Sequence, residues 1–253
     1  MATTPYDAAL TASPKGHALW VRLAHWVMAA SVVTLIYSGV AILFAHPRLY
    51  WGQTGNSVTA TIIELPLGPN YHNVHLGPAT AFFGPNGPVS RPRTVEVYNL
   101  NGWARSLHFI VAWTLSFSLL VYLGAALLTG HFQRTLAPSP LERSWAMLGA
   151  DLKAHLRFPP PQARGGPPYN LLQKLAYLGV VLIALPIMVI TGLSMSPAVT
   201  AAYPVLMDLT GGYQSARLIH FIMMGGIVGF LLIHLAMTAL TGLWRQLRAM
   251  TIG

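Results

Sequence analysis

Residues Gly211–Leu243 read GGYQSARLIHFIMMGGIVGFLLIHLAMTALTGL. The apolar part of this segment is long enough to cross the ~30 Å hydrocarbon core of a bilayer as one helix. Within this apolar part, the strongly polar residues are His220 and His234. At 3.6 residues per turn, a spacing of fourteen residues is close to four whole turns, so both imidazoles leave one face of the helix. The rise between them is roughly 21 Å, which predicts one histidine near each membrane surface.

The composition is that of an integral membrane protein. Of the 253 residues, 54% are hydrophobic and 8% are charged, and the mean hydropathy is +0.52. The chain has no cysteine, which excludes disulfides, Cys-ligated iron–sulfur clusters and c-type haem. The net charge of +9 comes from residues at helix ends and in loops, so membrane topology explains it and nucleic-acid binding is not expected.

Four apolar runs predict four membrane spans. Strict alternation is missing from them, and lipid accepts only helices or closed barrels, so each is predicted to be a helix. The first run is too long for a signal-peptide core and is interpreted as a retained span. The predicted fold is an all-α, integral membrane four-helix bundle that forms a single domain over residues 1–253. The predicted spans are Trp20–Phe44, Trp103–Leu128, Leu171–Met195 and Ala216–Leu243.

The basic residues predict the orientation. With the N-terminus inside, ten of the 15 Lys and Arg residues lie on that side. This asymmetry predicts a multi-pass membrane protein with both termini in the cytoplasm. The outer connection is then His46–Gly102, a long segment that is either a docking cap for an external partner or a self-packed cover. The inner connection, Gly130–Tyr169, is interpreted as a linker with one surface helix around Leu141–Leu156.

Two further histidines lie inside predicted spans. His25 is early in the first span, near the inner surface, and His108 is early in the second, near the outer surface. Matching by depth gives an inner pair, His25 with His234, and an outer pair, His108 with His220. Two bis-histidine sites at different depths that share one helix suit two b-type haems.

An arginine precedes three of these histidines by three residues. Arg22, Arg105 and Arg217 occur in RLAH, RSLH and RLIH. Residues at i and i+3 share a helix face, so each guanidinium is predicted to meet a haem propionate at the membrane surface. Snorkelling at helix ends is the alternative. Gly39 and the group Gly225, Gly226 and Gly229 can admit a porphyrin edge or serve plain helix packing.

Other interpretations of the histidines are open. Each could be a satisfied core residue or part of a proton relay. Zinc fits less well, because each pair offers two imidazoles without a nearby carboxylate or thiolate. His72 and His75 can bind a metal in the outer connection, although solvated loop residues are the simpler interpretation.

Three polar residues open the third span, at the level of the inner pair. Asn170, Gln173 and Lys174 lie within about one helical turn and can hydrogen-bond a quinone carbonyl. An ordinary helix entry, with Asn170 near an N-cap, explains them equally well.

These motifs resemble those of a known family. RLAHW, RSLH, YNLLQK and RLIH with His234 fourteen residues later are similar to the di-haem cytochrome b subunits of formate dehydrogenases, nickel–iron hydrogenases and thiosulfate reductases, a bacterial cytochrome b561-like group. The segment HPRLYWG after the first span resembles the thiosulfate-reductase-like branch. The resemblance covers all four spans, and the long outer connection is a feature of the branch. Leu172 stands where formate dehydrogenase members have glycine, and the fifth helix of hydrogenase-type subunits is not evident.

The resemblance implies a function. The inner and outer pairs would ligate two b-type haems, with a menaquinone or ubiquinone site near Asn170, Gln173 and Lys174. The chain would be the electron-transfer subunit of an oxidoreductase complex, between the quinone pool and a periplasmic partner such as a molybdopterin oxidoreductase. An oligomer is compatible with the sequence. The alternatives are a stand-alone b561-type quinone reductase with a soluble electron donor, and a haem-free anchor or proton-relay protein.

Overall fold

A computed structural model describes residues 17–56, 59–65, 102–138, 144–156 and 171–252. Helices dominate these residues. The elements are α1 (Leu19–Ala45), β1 (Arg48–Leu49), β2 (Ile63–Glu64), α2 (Gly102–Leu128), a π-helical turn (Phe132–Leu136), α3 (Trp145–Leu156), α4 (Leu171–Gly179), a π-helical segment (Val180–Ala184), α5 (Leu185–Ser194), α6 (Pro197–Ala202), α7 (Val205–Thr210), α8 (Tyr213–Leu240) and α9 (Leu243–Thr251).

Four helical segments are long and apolar enough to cross a membrane. They are Leu19–Phe44, Trp103–Leu128, Leu171–Ser194 and Tyr213–Leu240. Protein buries only 11% to 22% of the residues in the most apolar stretch of each. Exposed apolar side chains on this scale are stable where lipid covers them. The prediction of an all-α fold with four membrane-spanning helices is confirmed.

The fourth span differs from its predicted bounds. The helix runs over Tyr213–Leu240, three residues earlier at each end than the predicted Ala216–Leu243. Gly211 and Gly212 precede it with φ values of +72° and +110°, and Gly242 follows it with φ of +108°. Backbone at these angles suits glycine and breaks a helix. The chain after Gly242 forms a separate helix, α9. Neither α9 nor the short helices α6 and α7 were predicted from the sequence.

The third span is not a regular α-helix throughout. A π-helical segment, Val180–Ala184, separates α4 from α5. Pro186 lies in the first turn of α5 and has no N–H with which to bond the carbonyl four residues earlier. A single wide turn before the proline accommodates this missing bond and keeps the span helical.

The chain folds into two compact units, and each span contributes to both. The first unit comprises Met1–Met28, Ser118–Ile183 and Ile227–Gly253. The second comprises Ala29–Phe117 and Ala184–Gly226. The inner pair of histidines belongs to the first unit and the outer pair to the second.

The described start of the outer connection, residues 46–56 and 59–65, belongs to the second unit and contacts the start of α8. Strands β1 and β2 pair antiparallel, and Arg48 Nε donates to Glu64 Oε1 at 2.8 Å. The Gly52 carbonyl accepts the backbone N–H groups of Gln214 (2.9 Å) and Ser215 (3.2 Å). These donors have no partner within the first turn of α8, so the connection caps this helix. These residues pack on the chain itself, and a docking role for the outer connection stays a prediction. Residues 66–101, including His72 and His75, lie outside the described part.

The end of α9 packs on the start of α1 in the first unit. The Arg22 guanidinium donates to the Thr251 carbonyl at 2.9 Å, and Trp26 Nε1 donates to the Met250 carbonyl at 2.8 Å. Carbonyls of a last helical turn need such external donors. The predicted surface helix around Leu141–Leu156 is present as α3 over Trp145–Leu156, and residues 141–143 are outside the described part.

Candidate functional site

The outer pair, His108 and His220, lies side by side in the second unit. The centres of the two imidazole rings are 6.3 Å apart, and the ring planes are tilted by 56°. Both rings have a hydroxyl neighbour: Ser38 Oγ is 2.9 Å from His108 Nδ1, and Thr191 Oγ1 is 2.9 Å from His220 Nδ1. Both hydroxyl residues are almost fully buried. Each outer imidazole therefore has its Nδ1 atom within hydrogen-bond distance of a buried hydroxyl.

The inner pair, His25 and His234, lies side by side in the first unit. The ring centres are 6.4 Å apart, with the planes tilted by 53°. Phe230 stacks on His234 at 5.7 Å, and Trp26 meets His25 edge-on at 5.2 Å. Tyr177 lies 6.4 Å from His234, also edge-on. Aromatic rings therefore lie around the inner imidazoles, whereas hydroxyl groups contact the outer ones.

Two buried nitrogens near the inner pair have no hydrogen-bond partner among the described residues. They are Arg22 Nε and His25 Nδ1, which lie one helical turn apart on α1. Buried polar atoms without a partner are rare in folded proteins. Such an atom beside a cluster of candidate ligands is expected where a polar group of a cofactor completes the site.

The three predicted propionate contacts differ in their surroundings. Arg22 uses one guanidinium nitrogen for Thr251 and leaves Nε without a partner. Arg217 donates to the His46 carbonyl and, at 3.3 Å, to Gln214 Oε1, so it ties α8 to the outer connection. Arg105 is exposed and lies over the Phe109 ring at 6.0 Å. A contact with a propionate stays a prediction for each of them.

The two pairs meet the geometric requirement for a shared metal ion. A metal–imidazole bond is about 2.0 Å long, so two imidazoles on opposite sides of one ion have ring centres roughly 6 Å apart. The separations of 6.3 Å and 6.4 Å agree with this spacing. Haem needs only two protein ligands, because the porphyrin supplies the other four, and the residues of both pairs fit it.

The glycines predicted to admit a porphyrin edge lie in different environments. A Cβ added at Gly225, Gly226 or Gly229 would have no described atom within 4 Å, so these residues do not serve close helix packing in the described part of the chain. At Gly39 the added Cβ would lie 3.4 Å from His108 Cε1. Gly39 therefore adjoins the outer pair directly.

Of the predicted quinone residues, Gln173 and Lys174 lie in the first turn of α4. Lys174 is buried, with 6% of its surface exposed, which is unusual for a lysine at a helix entry. Asn170 lies outside the described residues. Tyr177, which lies one turn after Lys174 and beside His234, was not predicted as a site residue from the sequence. Its only signal in the sequence is this spacing.

A separate cavity of about 240 Å³ lies in the first unit, where α1 begins and α2 ends. Burial lowers the pKa of His131 in its wall, and His17 and Arg134 nearby lower it further. Burial, with a smaller effect of Arg22, likewise lowers the pKa of His17. Both imidazoles are therefore neutral near pH 7. The lining residues are Ala18, Trp20, Thr129, His131, Arg134 and Thr135.

Comparison with known proteins assigns the family. The sequence model described as prokaryotic cytochrome b561 matches residues 16–253. The chain belongs to the prokaryotic cytochrome b561 family. This confirms the family predicted from the histidine and arginine motifs. Members of this family bind haem b in a helical membrane bundle and transfer electrons, and so the chain is a membrane electron-transfer protein of the cytochrome b561 type.

One relative of this chain has a provisional functional name. A protein of Azospira oryzae, provisionally named protein-methionine-sulfoxide reductase subunit YedZ1, is 29% identical over 224 residues. The match covers 88% of this chain and 90% of the relative. No solved structure matches the chain.

Proposed function

We propose that this b561-family chain is a di-haem cytochrome that carries electrons across a membrane between the quinone pool and a redox partner outside. The observation that carries the proposal is the pairing of four intramembrane histidines at separations of 6.3 Å and 6.4 Å. His25 and His234 would ligate one haem b, and His108 and His220 the other. Family membership favours this over the haem-free relay, because the family binds haem.

The protein supplies ligands and surroundings to each site. When bound, haem b supplies a one-electron iron couple. The histidines hold it from two helices each, α1 with α8 in the first unit and α2 with α8 in the second. The rings of Tyr177 and Phe230 lie beside the inner pair and give it apolar surroundings. Arg22 Nε, buried and without a partner among the described residues, is the donor best placed to receive a carboxylate at the inner site.

Residues of α4 support a proposed quinone site beside the inner pair. Lys174 is buried there, and Tyr177 one turn later lies near His234. An ammonium or phenol can hydrogen-bond a quinone carbonyl and pass it a proton when the ring is reduced. Gln173 and Asn170 remain proposed members of this site, and menaquinone or ubiquinone its occupant.

The cellular setting is proposed from the charge asymmetry. It favours both termini in the cytoplasm and the outer pair on the opposite side. The resemblance to bacterial cytochrome b subunits implies the inner membrane, with the outer pair towards the periplasm. Residues 1–253 would act as one functional domain, since the proposed pathway uses both units.

The partner is proposed to be the catalytic subunit of a reductase. The relative's name describes one subunit of a protein-methionine-sulfoxide reductase. The resemblance of the sequence to thiosulfate-reductase-like subunits implies a periplasmic molybdopterin oxidoreductase. Both point to an external enzyme that receives electrons from this chain.

The haem content tests the di-haem proposal. We expect two b-type haems per chain, because two complete imidazole pairs are present. The measurement is a pyridine haemochromogen count with a reduced-minus-oxidised spectrum on the purified chain. If the protein folds when haem is supplied but contains no haem after purification, the proposal is contradicted.

Reconstitution tests the partner. Membranes that contain the tagged chain, a quinol and the co-purified external subunit should reduce methionine sulfoxide in a protein substrate, and omitting either protein should abolish the reaction. Electron exchange with a small soluble donor, with no external subunit retained, would instead support the stand-alone b561-type reductase. Thiosulfate in place of the protein substrate separates the two partner classes.

A further inference from the structure

A hydroxyl residue followed by glycine faces each histidine of the outer pair. Ser38 and Gly39 lie on α1 beside His108, and Thr191 and Gly192 lie on α5 beside His220. The two hydroxyl oxygens are each 2.9 Å from the Nδ1 atom of the facing imidazole. We call these two-residue segments the hydroxyl–glycine dyads.

The glycine of each dyad gives the imidazole edge its room. A Cβ added at Gly39 would lie 3.4 Å from His108 Cε1, and one at Gly192 would lie 3.7 Å from His220 Cε1. The same arrangement therefore occurs twice, on two different helices, around the two rings of one pair.

The hydrogen bonds of the hydroxyls favour one protonated form of each imidazole. The Ser38 hydroxyl is 2.9 Å from the Thr34 carbonyl, and the Thr191 hydroxyl is 2.7 Å from the Ile187 carbonyl. A hydroxyl has a single proton, and a carbonyl can only accept. With that proton donated to the carbonyl, the hydroxyl oxygen accepts, and Nδ1 of the imidazole must be the donor. The neutral ring then has its lone pair on Nε2.

We propose that the two hydroxyl–glycine dyads are positioning devices that fix His108 and His220 in the Nδ1–H form, with Nε2 free to ligate the outer haem. This rests on the proposed haem ligation. A hydrogen bond from the second ring nitrogen orients a metal-ligating histidine and raises its basicity. A more basic ligand stabilises ferric over ferrous iron, so the dyads lower the midpoint potential of the outer haem.

The inner pair does not have this arrangement at His25. Its Nδ1 atom is buried and has no partner among the described residues. The dyads therefore act on one site only. Their contribution makes the outer haem the weaker oxidant of the two, apart from all other influences on the potentials.

Removing the hydroxyls tests the proposal. Ser38→Ala and Thr191→Val should each keep two haems and shift the midpoint potential of the outer haem to more positive values, with the inner haem unchanged. Ser38→Thr and Thr191→Ser keep the hydroxyl and should restore the wild-type potential. The measurement is a spectroelectrochemical titration of the full chain, repeated with His234→Ala to isolate the outer haem.

Matched controls distinguish positioning from a general loss of hydroxyls. Ser116 and Thr114 on α2 donate only to carbonyls of their own helix, so Ser116→Ala and Thr114→Val should leave both potentials unchanged. An unchanged outer potential in Ser38→Ala and Thr191→Val, or an equal shift in the controls, would overturn the proposal. A failure of the haem ligation itself would look different, because the unmodified chain would then lack the second haem.

Discussion

Replacing His220 by alanine is expected to leave one haem per chain in place of two. The remaining haem should be the inner one, because His25 and His234 lie 6.4 Å apart without any contribution from His220. A haem with a single axial histidine is held much less firmly, and the buried site offers no described substitute ligand. The haem count and the reduced-minus-oxidised spectrum of the purified variant measure this loss.

The same variant separates the two halves of the proposed pathway. Quinol should still reduce the inner haem, whereas electron delivery to the external subunit should fall to background. His234→Ala is the matched variant: it should retain the outer haem and lose rapid reduction by quinol. His131→Ala is the control, since His131 lies outside the spans and belongs to neither pair. Retained delivery to the partner in His220→Ala would show that electrons do not pass through the outer pair.

The spans and the histidine pairs are the features that the sequence predicts best. Apolar length determines where a chain can cross a bilayer, and helical period determines which residues share a face. The four histidines therefore form the two pairs that depth matching predicts, His25 with His234 and His108 with His220. Their ligation of haem stays a prediction.

Features that depend on tertiary contacts were missed. Nothing local distinguishes Ser38 and Thr191 from other hydroxyls that bond their own helix, such as Ser116, because the imidazoles they face come from other helices. Arg217 likewise fits a propionate contact by spacing, yet it donates to the His46 carbonyl. The bounds of the fourth span shift because Gly212 and Gly242 have positive φ angles, which interrupt the helix. The pattern of apolar residues does not predict these angles.

Gly212→Ala is expected to destabilise the second unit more than any other single methyl addition at a described glycine of α8 or its entry. Gly212 has φ of +110°, which costs a residue with a side chain about 1–3 kcal/mol. The added Cβ would also lie 2.6 Å from the Gly52 carbonyl oxygen, which is backbone and cannot turn aside. The outer connection must then move away and lose its hydrogen bonds to Gln214 and Ser215.

Two further glycines separate these effects. Gly52→Ala carries the backbone strain alone, because φ is +97° and no described atom lies within 4 Å of the new Cβ. Gly124→Ala on α2 introduces neither backbone strain nor a contact with a described atom. Thermal unfolding of the haem-loaded chain should therefore show the largest fall in Tm for Gly212→Ala, a smaller fall for Gly52→Ala and little change for Gly124→Ala. Equal falls for the first two would mean that strain alone acts and that the capping of α8 by the outer connection contributes nothing. Because His220 lies about two turns after this cap, the outer haem should be lost before the inner one when Gly212→Ala is heated.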